Sequence, residues 1–100
     1  MDDATSYEER FLVLLLTKKD LLSTYIFKIK CEWFSKRSYE ILCFYILKHY
    51  NTYRDLLTFE IYTSYLKEEQ SLSKQEFEDY LNTYLYIKTF EASENDFKFL

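Results

Sequence analysis

The sequence predicts an all-α protein, a single compact bundle of about five or six helices, on three observations. The 100 residues include no glycine and no proline, whereas an average chain of this length holds about seven and about five. Without glycine, the tight hairpin turns that need a positive φ angle are hard to build, which disfavours an all-β fold. Apolar residues make up 48% of the chain and aromatic residues 21%, and they recur at helical spacing.

Helix starts are marked by Ser or Thr followed three residues later by Glu or Asp, because such a pair satisfies two backbone N–H groups at once. The pattern occurs at Ser6–Glu9, Thr17–Asp20, Ser73–Glu76 and Ser93–Asp96. Ser35 and Thr58 are further candidate caps without the acidic partner. Together with the apolar periodicity, these starts predict helices at about 7–16, from about 18, at about 36–50, 59–69 and 74–87, and from 93 onward.

The first three helices are expected to carry most of the core. The first contains the apolar run 11–16, and Glu8 and Glu9 favour its positive end. The second has an apolar face that consists of Leu21, Leu22, Tyr25, Ile26 and Ile29. The pair Trp33 and Phe34 is expected to pack the turn into the third helix. That third helix is apolar nearly all round, which is typical of the middle of a bundle, and Asn51 suits the position after its end.

The fourth helix presents an apolar face at helical spacing, made of Phe59, Tyr62, Tyr65 and Leu66. From these patterns we can predict which side chains lie in the core. The most buried side chains are expected to include Phe11, Leu15, Trp33, Phe34, Leu42, Phe44 and Ile46.

The fifth helix carries a regular apolar seam whose spacing alternates between three and four residues: Phe77, Tyr80, Leu81, Tyr84 and Leu85. Ser93 opens a sixth helix to which Phe97 and Leu100 give an apolar face, but so short a helix is marginal by itself. We therefore expect a fragment of a longer protein, with a core bundle at about 6–70 and a C-terminal hairpin at about 73–100 that is cut short.

The hairpin is the predicted site of self-association. Its seam is more than one small bundle needs, and exposed aromatic seams usually mark an interface. The predicted interface residues are Phe77, Tyr80, Leu81, Tyr84, Leu85, Phe97 and Leu100. The alternative is that this face simply closes the bundle.

No set of residues points to catalysis, a cofactor or a metal. Without glycine, no Gly-rich loop is present to hold a phosphate group. His49 stands alone, and together with Cys31 and Cys43 it is too few for a four-ligand zinc site of Cys and His. The two cysteines are therefore expected to be buried, reduced thiols of a cytoplasmic protein. Paired carboxylates such as Glu8 and Glu9 are expected at helix ends or on exposed faces.

The charge is uneven along the chain. The net charge of −4 is the sum of −3 over residues 1–17, +5 over residues 18–54 and −6 over residues 55–100, a polarity that suits orientation of a partner. The negative total argues against nucleic acid as the main ligand, although Lys28 and Lys30 lie beside aromatic residues on which bases could stack. The longest apolar run, 11–16, is far shorter than the roughly 20 residues that cross a bilayer, and the acidic residues 1–3 lack the basic and apolar regions expected of a signal peptide.

Four segments resemble the N-terminal domain of DnaB-type replicative helicases, most closely phage versions. The run 8–16 is similar to that domain's opening helix, and Trp33-Phe34 stands where the family has a "D-F-F/Y" turn. Residues 39–46 resemble the family's "H-x-x-I-F-x-A-I" helix with Tyr39 in place of the histidine, and residues 55–59 resemble "D-L-V-T-V". The family's small residue at Val13 and its Gly-containing stretch after the fourth helix are missing. Residues 76–81 also resemble an "E-x-E-D-Y-I" helix in the helicase-binding C-terminal domain of bacterial primases, which is the close rival.

The resemblance implies a function without catalysis in this chain. In the helicase family these domains pair through the C-terminal hairpin, form a collar above a hexameric ATPase, and contact primase or a loader protein. The chain would then be an assembly and partner-docking domain whose own contact with DNA is weak or absent, while the ATPase lies outside it. The alternatives are a stand-alone helical adaptor or inhibitor, and the helicase-binding domain of a primase.

Overall fold

The computed structural model describes residues 3–90, and within that range the protein is all-α. Its helices are α1 (Asp3–Thr17), α2 (Lys19–Tyr25), a 3₁₀ helix (Cys31–Trp33), α3 (Arg37–Tyr53), α4 (Phe59–Glu68) and α5 (Lys74–Lys88). No strand is found between residues 3 and 90. The predicted sixth helix with Ser93, Phe97 and Leu100 lies outside the described residues.

Helices α3 and α5 together occupy the middle of the packing, whereas the sequence predicted this place for α3 alone. Helix α3 packs against α1, α5 and the 3₁₀ helix, and α5 packs in turn against α1 and α4. Leu42, Cys43 and Ile46 of α3 are completely buried. The core therefore extends through α5, whose Ile87 is also completely buried, and is not confined to the predicted core bundle at 6–70.

Two of the predicted caps are confirmed. Ser73 and Glu76 form a reciprocal capping box in which the Glu76 backbone N–H donates to Ser73 Oγ (3.1 Å) and the Ser73 backbone N–H donates to Glu76 Oε1 (2.9 Å). Thr58 caps α4, since its Oγ1 accepts a hydrogen bond from the Ile61 backbone N–H at 3.2 Å. Each cap satisfies donors that the first helical turn leaves without a partner.

The predicted caps at the first two helices were wrong. Helix α1 begins at Asp3, so Ser6 is inside it. Thr17 is the last residue of α1, and its Oγ1 donates to the Val13 carbonyl oxygen at 2.8 Å. An N-cap needs a non-helical backbone, and Lys18, which is extended, takes that place before α2. The apolar run 11–16 is helical, and α1 therefore continues through Thr17, the residue that was predicted to cap the next helix.

The end of α3 also differs from the prediction. Asn51 is inside the helix, which continues to Tyr53. Arg54 then adopts the left-handed conformation (φ 55°, ψ 39°), and its N–H donates to the Tyr50 carbonyl oxygen at 2.7 Å. Glycine usually occupies this position because it has no Cβ. In a chain without glycine the turn is made by an arginine instead.

The predicted core was right at Leu15, Phe34, Leu42 and Ile46, which are all buried, and Phe11 is partly buried. It was wrong at two aromatic residues. Trp33 is 55% exposed and Phe44 is 50% exposed. Phe44 lies half a turn around α3 from the buried face, since it follows Leu42 by two residues. It packs edge-on against Tyr45, with ring centroids 5.1 Å apart, and otherwise faces solvent.

The two glutamates of α1 hold the start of α3, which contradicts their predicted place on an exposed face or at a helix end. Glu9 is buried and accepts a hydrogen bond from Tyr39 Oη at 2.7 Å. Glu8 accepts from both the backbone N–H and the Oγ of Ser35 at 3.2 Å. A buried carboxylate requires such a partner, so this pair fixes α3 against the middle of α1 and leaves Ser35 unavailable as a cap.

The buried tyrosine hydroxyls give a direct stability test. Tyr62 Oη is buried without a hydrogen-bond partner, whereas Tyr84 Oη donates to the Leu57 carbonyl oxygen at 3.1 Å. Because an unpaired buried hydroxyl costs free energy, we expect Tyr62→Phe to leave the free energy of unfolding unchanged or to raise it by about 1 kcal/mol. The matched variant Tyr84→Phe should lower it by about 1–2 kcal/mol. The free energy of unfolding of both variants is measured in urea. Equal decreases for the two variants would contradict a hydrogen bond at the Tyr84 hydroxyl and none at the Tyr62 hydroxyl.

Candidate functional site

An exposed apolar cavity opens beside α2. It has a volume of about 300 Å³ and is lined by Phe11, Tyr25, Lys28, Ile29 and Trp33, which we call the aromatic cleft. Phe27, in the same turn as two of these residues, is 88% exposed. Contiguous exposed apolar surface, unlike single exposed residues, often marks a site of interaction. The cleft is therefore the clearest candidate for a protein-binding site.

The local backbone explains why the cleft is open. Helix α2 ends at Tyr25, and the turn after it is held by hydrogen bonds from the Lys28 and Ile29 N–H groups to the Tyr25 carbonyl oxygen, at 2.8 and 3.2 Å. The 3₁₀ helix then places two neighbouring aromatic residues differently. Phe34 is buried and stacks on Phe11, with ring centroids 6.2 Å apart, while Trp33 remains exposed.

The chain segment that forms most of the aromatic cleft carries a net positive charge. Residues 18–37 contain six basic and two acidic side chains. Lys28 lines the cleft and Lys30 is exposed two residues further on. Two other basic residues of this segment are in ion pairs, Lys19 with Asp55 (3.3 Å) and Arg37 with Glu40 (3.5 Å). The rim of the cleft thus favours acidic groups on a partner.

The structure places the predicted self-association residues of α5 in different environments. Tyr80 and Tyr84 are buried in the core of the chain itself, and Phe77 and Leu81 are partly buried against it. Leu85 is half exposed. Phe97 and Leu100 lie outside the described residues. The part of the predicted interface that a second copy can reach in the described structure is therefore mainly Leu85, and self-association itself stays a prediction.

A polar groove of about 680 Å³ separates the start of α3 from α5. Its charged residues serve the protein's own helices: Arg37 pairs with Glu40, Glu76 belongs to the Ser73 capping box, and Asp79 accepts a hydrogen bond from Gln75. The groove therefore offers no concentrated charge of one sign and no ready set of catalytic groups.

The histidine has a partner in the fold. His49 is buried, and its Nδ1 lies 2.9 Å from Tyr65 Oη. This hydrogen bond satisfies one ring nitrogen of the buried histidine. His49 also lines a cavity of about 430 Å³ together with Tyr53, Asp55 and Tyr65. Sequence analysis missed this grouping, because its members come from α3, α4 and the loop between them.

Both cysteines are free thiols. Cys43 is completely buried, as predicted, whereas Cys31 is only partly buried, which differs from the prediction. Burial raises the pKa of both thiols, so the reactive thiolate is disfavoured. Within residues 3–90 there is no group of three or more His, Cys, Asp or Glu side chains placed to hold a metal ion.

Comparison with family models, curated proteins and solved structures finds no match for this chain. None of the helices in the described range is both long enough and apolar enough to span a membrane.

Proposed function

We propose that this chain is a protein-docking and assembly domain, and that the aromatic cleft is where it docks. The observation that carries the proposal is the exposure of Tyr25 and Trp33, which line one apolar cavity, together with the exposed Phe27 in the turn after α2. Tryptophan and tyrosine are the residue types that contribute most of the binding energy at protein interfaces. Around this cleft they lie on backbone fixed by the turn after α2 and by the 3₁₀ helix, so little ordering is needed on binding.

The partner that fits the cleft best is an amphipathic helix with acidic residues beside its apolar anchors. A volume of about 300 Å³ accommodates one or two large apolar side chains, which is the usual way a helix anchors in a groove. The basic rim with Lys28 and Lys30 favours carboxylates on that helix and increases the rate of encounter.

The finer form of the proposal is that the chain is the N-terminal domain of a DnaB-type replicative helicase. Its support is the resemblance of four short segments to that family's helices. The docked helix would then belong to primase or to a helicase loader, and copies of the domain would assemble into a collar. The same cleft would equally serve a stand-alone adaptor, which is the second candidate because the docking surface is complete within residues 11–33.

Docking is tested by selecting binders from a displayed library of helical peptides. We expect the selected peptides to combine apolar residues at helical spacing with Asp or Glu, and to lose at least about tenfold in affinity for Trp33→Ala, since truncating a central aromatic anchor typically has an effect of this size. Phe44→Ala is the matched control, because Phe44 is also half exposed but lies on α3 away from the cleft. Peptides that bind Trp33→Ala as tightly as the wild type would refute docking at the cleft.

Assembly is tested separately by sedimentation velocity. A collar domain is expected to form dimers or larger species as concentration rises, and Leu85→Glu should shift them toward monomer, because it puts a charge on an exposed apolar position. Tyr84→Glu serves poorly here, since Tyr84 is buried and the substitution should unfold the chain. A protein that stays monomeric at the highest concentration would exclude assembly through α5 and leave the docking proposal unaffected.

A further inference from the structure

The cavity around His49 is lined by both aromatic rings and carboxylates. It lies where the end of α3, the following loop and α4 meet, with a volume of about 430 Å³. Its lining combines the aromatic rings of His49, Tyr53 and Tyr65 with the carboxylates of Asp55 and Glu68. No lysine or arginine is among its lining residues. Because this side of the molecule is remote in sequence from the aromatic cleft, it calls for an explanation of its own.

The three rings form an angled, fixed group. The ring centroid of Tyr53 lies 4.9 Å from that of His49, with the planes 42° apart. The ring centroid of Tyr65 lies 5.9 Å from that of His49, at 70°. The contact of 2.9 Å between His49 Nδ1 and Tyr65 Oη holds two of the rings in place, and His49 is only 5% exposed. The three rings thus form an aromatic wall of the cavity, and proteins bind organic cations against the faces of aromatic rings.

Two carboxylates contribute negative charge to the cavity lining, and one of them, Asp55, is paired with a lysine. The Leu56 backbone N–H donates to Asp55 Oδ1 at 2.8 Å, and Lys19 Nζ lies 3.3 Å from the same oxygen. These contacts lower the pKa of Asp55, so that it is ionised at neutral pH. Burial, together with the neighbouring Tyr53 and Glu68, raises the pKa of Tyr65, so its ring stays neutral. Both contacts to Asp55 are made by Oδ1, so Oδ2 can still accept a hydrogen bond from a ligand.

A lysine of this chain already uses the same chemistry nearby. Lys48 Nζ lies over the ring of Tyr65, 5.4 Å from its centroid, and over the ring of Tyr45 at 5.6 Å. Lys48 does not line the cavity. Tyr65, which also lines the cavity, thus already takes part in a cation–π contact within this protein.

We propose that the cavity formed by His49, Tyr53, Tyr65, Asp55 and Glu68 binds an organic cation, an ammonium or guanidinium group. Its volume is at the lower end of the range for ligand sites, which suits one side chain or one small molecule. The cation has two possible sources, a basic side chain of another protein or a free quaternary amine. The site is independent of the aromatic cleft and of the proposed docking function.

The test is an NMR and calorimetric titration at pH 8, above the usual titration range of imidazole. The probes are acetyl-trimethyllysine amide, its uncharged isostere with carbon in place of the nitrogen, acetyl-lysine amide with a free ε-amino group, acetyl-arginine amide, and choline. We expect saturable shifts at Tyr53, Ser64 and Tyr65 with a cationic probe, and at least about tenfold weaker binding of the uncharged isostere. Choline binding alone would identify a free amine as the source, and binding of the amino-acid amides would identify a side chain.

Single substitutions test which residues of the His49 cavity bind the cation. Tyr53 is 64% exposed, so Tyr53→Ala should keep the fold and lose about tenfold in affinity, while Glu68→Gln should lose severalfold and become less sensitive to salt. Trp33→Ala, in the aromatic cleft, should bind like the wild type. Equal binding of the cation and its isostere, or no saturation by any cationic probe at millimolar concentration, would overturn the proposal.

Discussion

Leu42→Ala is expected to lower the free energy of unfolding by about 2–5 kcal/mol, the range for a large apolar side chain removed from a rigid core. Leu42 is completely buried in α3, and that helix packs against three other elements. The surrounding helices are fixed by their own contacts, so the cavity left by the substitution cannot collapse. Denaturant unfolding followed by circular dichroism measures the loss.

The matched control for Leu42→Ala is Phe44→Ala on the same helix. Phe44 is half exposed, so its truncation should cost less than about 1 kcal/mol, although phenylalanine is the larger residue. A larger loss for Phe44→Ala than for Leu42→Ala would mean that α3 is turned the other way in the bundle.

Alkaline pH is expected to destabilise the protein steeply. Burial raises the pKa of Cys43, Tyr39 and Tyr62, and for Tyr39 the hydrogen bond to the Glu9 carboxylate adds to the effect. Below the pKa of the unfolded chain, 9.0 for Cys and 10.0 for Tyr, both states carry the proton and the stability is full. Above it only the unfolded state loses the proton, so stability falls as pH rises.

The size of this effect follows from proton linkage. Each group that is ionised only in the unfolded chain lowers the free energy of unfolding by about 1.4 kcal/mol per pH unit. With three such groups, the free energy of unfolding should fall by about 4 kcal/mol per pH unit above pH 10. Urea midpoints between pH 8 and about 11 test this, and Tyr62→Phe should reduce the slope by about a third. A flat profile would show that these side chains reach solvent in the folded state.

The helical class of this protein can be predicted from its composition and periodicity, but the positions of the helix ends depend on the surrounding chain. Ser73 and Thr17 carry the same local signal, and only Ser73 becomes a cap. The difference is what precedes them: a turn leads into Ser73, whereas the run 11–16 continues its helical backbone through Thr17. Capping preferences are worth about 1 kcal/mol, which is too little to interrupt a packed helix.

The faces of the helices were predicted less well than their positions. The α5 seam shows regular spacing in the sequence, and that spacing is the same whether the seam packs within one chain or between two. Tyr84 reaches the Leu57 carbonyl oxygen of its own chain, a contact between residues far apart in sequence. The cavity around His49 was beyond sequence reasoning for a related reason, because it depends on the left-handed turn at Arg54.

The exposed position of Trp33 also gives the protein an optical reporter. Trp33 is the only tryptophan among 100 residues, and it lines the aromatic cleft. Excitation at the red edge of the absorption band, where tyrosine does not absorb, selects its indole from the background of 11 tyrosines. Indole emission shifts to shorter wavelength when water leaves its surroundings. The emission wavelength of Trp33 in the unlabelled protein should therefore report occupation of the cleft.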